Sequence, residues 1–153
     1  MNDLKGFAQL SKKLKSMDKK LAEKVLRRGS AKMAQVISKE MKQAAPRNSG
    51  NLRKSITYTN KRSRSGGYFA KVGAFKTKTA NGFYAKFVEF GTSRHTIKPK
   101  NKKTLSVGGN HYREVSHPGA KARPFIEPAF ERARKRAVNE SGRLMFKLLS
   151  SLK

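Results

Sequence analysis

The chain has 153 residues and carries 37 Lys and Arg against 9 Asp and Glu, a formal net charge of +28. With 36% hydrophobic residues, nine Phe and four Tyr it has apolar surface enough for one small core, which excludes a wholly disordered basic tail and, at this length, argues for a single domain over 1–153. The absence of cysteine excludes disulfides and Cys-based metal sites. No signal-peptide pattern opens the chain and no apolar run reaches the roughly 20 residues of a membrane span, so a soluble product of a cytoplasm with no membrane partner is expected.

Leu4, Phe7, Leu10, Leu14, Met17, Leu21 and Val25 fall at steps of three and four, one stripe of an amphipathic helix whose opposite face is mostly lysine. Such a helix fits a membrane surface or a partner groove, but one packed on a sheet with a solvated lysine face is the preferred reading. Met33, Val36, Ile37, Met41 and Ala44 continue the period past Gly29, which either breaks or kinks the helix. Pro46 forces the residue before it out of the α region, closing an N-terminal helical region at 1–45.

After a cluster of turn formers at 47–51 the period changes to two. Segments 52–59, 68–75 and 83–90, rich in Ile, Thr, Tyr, Phe and Val, predict three antiparallel strands in a meander over 50–91. There is no acidic residue between Glu40 and Glu89, so the exposed face or rim of this sheet is expected to be positive. Phe69, Tyr84, Phe87 and Phe90 are expected in the core rather than stacked on bases.

Residues 92–123 predict a long basic loop with one short hairpin, a length that points to function or to ordering by a partner. Its Arg94, Lys98, Lys100, Lys102, Lys103, Arg113 and Lys121 are the candidate DNA- or partner-facing residues. Arg123 to Pro128 opens a final helix over 124–151, its prolines in or before the first turn and its apolar face formed by Ile126, Phe130, Ala133, Ala137, Leu144, Met145, Leu148 and Leu149. The predicted fold class is thus α+β: an antiparallel sheet of about three to five strands flanked by a long N-terminal and a C-terminal helix.

His111, Glu114 and His117 have the spacing of metal or acid–base ligands on a helix, which would suit a metal nuclease. The flanking Gly108, Gly109, Pro118 and Gly119 disfavour a helix there, and polar loop histidines are the better reading. No catalytic, cofactor-binding or metal-binding residue is assigned and no cofactor is expected. The basic surface suits phosphates, but no helix-turn-helix, zinc finger, basic zipper or RNA-recognition signature accompanies it, so any contact with nucleic acid is expected to ignore sequence.

Three blocks carry a resemblance. Residues 45–56 (APRNSGNLRKSI) are similar to AP-x-x-TG-x-LR-x-SI, residues 84–92 (YAKFVEFGT) to YA-x-x-VE-x-GT, and residues 122–130 (ARPFIEPAF) to ARPF-x-x-PA. In this order they resemble the minor tail component, or tail-completion and head–tail joining, proteins of long-tailed bacteriophages of the lambda and HK type. Ser49 stands where the pattern has Thr, and the basic stretch before the third block is longer than the pattern needs.

The resemblance implies a non-catalytic virion protein of the tail or head–tail interface, a ring subunit whose partners are other neck and tail proteins and, without sequence preference, the DNA passing through the lumen. It marks Pro46, Gly50, Leu52, Arg53, Glu89, Gly91, Arg123, Pro124, Phe125 and Pro128 as family-motif structural positions. Glu89, a lone carboxylate among cations, is expected to pair with Arg53, Arg94 or Arg123. Self-repulsion at +28 predicts a monomer or weak oligomer in isolation. A free nucleic-acid-binding protein is the competing reading.

Overall fold

The computed structural model describes residues 2–100 and 103–151, with side chains from residue 6 onward. Lys102 and the side chain of Leu4 lie outside the described residues. The fold is α+β, as the sequence predicts, with long helices at both ends and short antiparallel ladders between them.

Helix α1 (Asn2–Lys15) stops well before Gly29. Asp18 starts the next helix by accepting from Lys20 N at 2.9 Å and Leu21 N at 3.2 Å, a side-chain cap on two of the donors a helix start leaves unpaired. Helix α2 (Lys19–Ala44) then runs unbroken through Gly29. That glycine lies at the crossing with the last helix: a Cβ on it would lie 2.5 Å from the sulfur of Met145, whose flexible side chain would have to shift, and Ser141 donates to its carbonyl at 2.9 Å. Gly29 therefore neither breaks nor ends a helix. Ala45, extended before Pro46, terminates α2.

Residues expected to begin the first strand form a short helix instead, α3 (Asn51–Ser55), after Gly50 at φ 76°. Strands β1 (Ile56–Arg62) and β2 (Tyr68–Ala74) pair in antiparallel register from Ile56 opposite Ala74 to Arg62 opposite Tyr68. Tyr68, Ala70, Val72 and Ala74 turn inward, while Phe69 and Lys71 turn to solvent. This hairpin lies on α2, tied by Asn60, which donates to Arg27 O at 2.8 Å and accepts from Ser30 Oγ at 3.0 Å.

The predicted third strand is helix α4 (Ala85–Phe90), so the meander has two strands and the described strands pair in three separate two-stranded ladders. The burial pattern gives the reason. Ala85 and Glu89 are buried, with Tyr84 and Val88 half-buried, an inner face at helical spacing that a period of two cannot produce.

Residues 92–100 and 103–120 form two nested hairpins rather than a loop with one. β3 (His95–Ile97) pairs with β6 (Val115–His117), and inside them β4 (Leu105–Val107) pairs with β5 (Asn110–Tyr112). Gly108 at φ 58° and Gly109 at φ 85° supply the two left-handed residues of the inner turn. Thr92 and Ala120 close the base by exchanging backbone hydrogen bonds of 2.9 and 3.0 Å.

Helix α5 (Ile126–Ser150) packs along α2 on a spine of Ala129, Ala133, Ala137, Ser141 and Met145. The three alanines are fully buried, and their small size lets the two helices approach. Phe130, expected on the inner face, is exposed because that face runs one residue earlier, through Ala129. The main core joins Val36, Ile37 and Met41 of α2 to Leu52, Ile56, Ala85, Phe125 and the alanine spine. A second cluster seats α1 through Leu10 against Val25 and Met145.

Candidate docking cleft and basic arm

The three sequence blocks meet in space. The turn after α2 brings Pro46, Gly50 and Leu52, α4 brings Tyr84, Phe87 and Val88, and the return from the nested hairpins brings Lys121 and Arg123 to an open cleft of about 640 Å³. Arg123 N–H donates to Val88 O at 2.7 Å, which fixes the third block against the second. Gly91 makes the junction possible. Its φ of 71° and ψ of −172° suit glycine alone, and a Cβ there would lie 2.5 Å from Ala120 O and 2.8 Å from Ala122 N.

Glu89 does not take the expected arginine partner. Oε2 accepts from the N–H groups of Phe125 at 2.7 Å and Ile126 at 2.9 Å, and Oε1 from that of Glu127 at 3.1 Å. The carboxylate of one helix thus caps another across 36 residues of sequence, with negative charge at the positive end of the α5 dipole. With Pro124 exposed and Pro128 in the first turn, α5 has no cap from its own Phe125 side chain, which is buried in the core. Glu89 is only 5% exposed, so its carboxylate lends little negative charge to the surface.

The outer side of α4 is unusual. Phe87 and Phe90, three residues apart on α4, and Phe83, in the turn that leads into it, are 41, 81 and 69% exposed. Phe69 is exposed as well, so the expectation that Phe69, Phe87 and Phe90 fill the core is overturned; Tyr84 alone of that set is half-buried. The helical winding of 85–90 is what sends Phe87 and Phe90 outward, and the turn before it leaves Phe83 in solvent. Lys86 sits over the Phe87 ring with its ammonium 5.0 Å from the centroid. Apolar rings exposed as a row, beside a cleft, mark a contact surface more often than chance.

The nested hairpins form a basic arm. Arg94, Lys98, Lys100, Lys103 and Arg113 are exposed along it, and Lys121 is exposed where it returns to the cleft. Lys98 meets Glu114 at 3.4 Å with both side chains largely in solvent, and Arg94 donates to Ser116 at 3.4 Å. Arg53 is exposed on α3. The histidines are divided between the hairpins: His117 stacks on His95 with ring centroids 5.0 Å apart, whereas His111 lies beside Thr104 in the inner one. Glu114 is turned to Lys98, so His111, Glu114 and His117 do not converge, and among the described residues no group of three metal-type side chains does.

Neither a curated protein nor a solved structure matches the chain. A family model does, the one described as "Bacteriophage HK97-gp10, putative tail-component", over residues 8–91, more than half of the chain. The match takes in the second half of α1, then α2, α3, the first hairpin and α4 with its Gly91 cap, and the third block completes the same cleft from outside it. This chain belongs to the HK97-gp10-like family of bacteriophage tail components.

Proposed function

We propose that the chain, acting as one domain of 1–153, is a ring subunit of the head–tail connector or tail-completion region, placed around the path of the DNA. The observation that carries this reading, beyond membership of a tail-component family, is the basic arm: an exposed pair of nested hairpins with six described cations, Glu114 being the one acidic residue between Gly91 and Arg123. Short exposed ladders bury too little to stabilise one another, and their cations repel, so an arm of this kind gains from a polyanion or an acidic neighbour. Arg94, Lys98, Lys100, Lys102, Lys103, Arg113 and Lys121 are the residues proposed to face DNA or partner. The role is structural, made in the host cytoplasm and completed in the virion.

Electron microscopy of particles assembled with and without this protein tests the reading. Tails that are unstable or fail to join heads in its absence are expected; normal, infectious particles would overturn it. The same exposed cations favour one other reading, a free binder of nucleic acid without sequence preference. A filter-binding salt titration separates the two, because a free binder holds its affinity at physiological salt whereas a lumen surface shows weak association that fades steeply.

A further inference from the structure

We propose that the Phe83–Phe87–Phe90 row and the cleft beside it dock an acidic segment of a neighbouring virion protein that carries bulky apolar anchors. This deepens the tail-component reading and rests on it. Phe87 belongs to both features, lying on the outer face of α4 and lining the cleft, so row and cleft form one continuous surface. Its chemistry is two-part. Leu52, Tyr84 and Val88 give the cleft an apolar wall that takes a side chain, while Lys121 and Arg123 line it exposed and Lys86 sits over the Phe87 ring, and none of the three is in an ion pair among the described residues. Glu89 of α4 is buried as a helix cap, which leaves Glu127 at the start of α5 as the exposed carboxylate in this part of the sequence.

Charge decides the occupant. A second copy of this chain has little acid to offer: of its nine acidic residues Glu23, Glu40, Glu114, Glu131 and Glu140 are in ion pairs and Asp18 and Glu89 cap helices, which leaves Glu127 and Asp3. Two copies would also bring their +28 charges together. Duplex DNA meets the cations but offers nothing to three exposed rings and an apolar wall. An acidic polypeptide with leucine or phenylalanine at helical spacing satisfies both halves, its apolar anchors desolvated at the centre and its carboxylates at the rim.

Fluorescence anisotropy on the intact protein tests this with three labelled probes: a glutamate-rich peptide bearing Leu and Phe at i, i+3, i+4 and i+7, the same peptide with Ser at those positions, and a short oligo(dT). Saturable binding of the first is expected, weaker by about tenfold for the Ser peptide, and weaker by about tenfold again on the combined Phe83→Ser, Phe87→Ser, Phe90→Ser protein and on Lys121→Glu, Arg123→Glu. Circular dichroism checks that each variant is folded, and the second variant leaves the aromatic row intact. No saturable binding, equal binding of the Ser peptide, or indifference of the peptide to both variants would overturn the proposal. So would oligo(dT) being the probe that the aromatic variant loses, or self-association that the variant abolishes. Tails that need the protein but accept the aromatic variant would sink the docking surface alone, whereas normal tails without the protein would sink the tail reading and leave the peptide result standing.

Discussion

Glu89 satisfies three backbone N–H groups at the start of α5, where a helix leaves four without partners, and does so from a second helix. Replacing it with Ala strands these donors in a buried place, and a loss of about 2 to 4 kcal/mol is expected from denaturant unfolding, with Glu89→Gln recovering part of it as a neutral acceptor. Gly91, two residues on, is fixed by geometry rather than by a bond. Its backbone region admits only glycine and its missing Cβ is the space occupied by Ala120 and Ala122. Gly91→Ala is expected to cost about 2 kcal/mol or more, seen as a lowered Tm, and to loosen the arm's base. The motif positions were legible from sequence, but their tasks were not: a carboxylate amid cations suggests an arginine, and nothing local shows that a helix start 36 residues away lacks its own cap.

At the scale of elements the pairing of α2 with α5 holds the molecule together. The alanine spine lets the helices close, and Glu40 bridges them on the outside, Oε1 to Arg132 Nε and Oε2 to Arg136 Nη2, each at 3.0 Å. The hydrogen bond from Arg132, then that from Arg136, holds the Glu40 carboxyl below its ordinary value of 4.5, and Lys32 does the same for Glu140. A carboxyl lowered in the folded state contributes stability above its unfolded value and loses it as the pH falls through the folded one. Thermal unfolding followed from neutral pH downward is therefore expected to weaken below about pH 4.5, and Glu40→Gln to flatten that fall at a cost of about 1 kcal/mol at neutral pH. A fall unchanged in the variant would show the bridge to be idle. Residues 83–90 teach the complementary lesson. A short run rich in aromatics and valine reads equally as strand or helix, and its burial pattern, not its composition, resolves it.

For the whole molecule the charge is expected to govern assembly. At +28, with ion pairs that use most of the few acids, each copy repels the next over distances that salt shortens. Light scattering is expected to find a monomer at low salt and larger species only on raising salt or adding a polyanion; a stable ring at low salt would refute the repulsion argument. No helix among the described residues is long and apolar enough to cross a membrane.

The sequence by itself determined the helical ends, the stop at Pro46, the first hairpin and, through three ordered blocks, the family, because periodicity and proline act locally and motifs survive as text. Tertiary structure decided the rest. The arm's ladders have three residues per strand with little buried side, leaving no hydrophobic pattern to read, and Gly29 looks like a breaker until Met145 is seen lying across it. The aromatic row was hidden for a similar reason: which way a ring points depends on what covers the other face of its helix, and that neighbour arrives from a distant part of the chain.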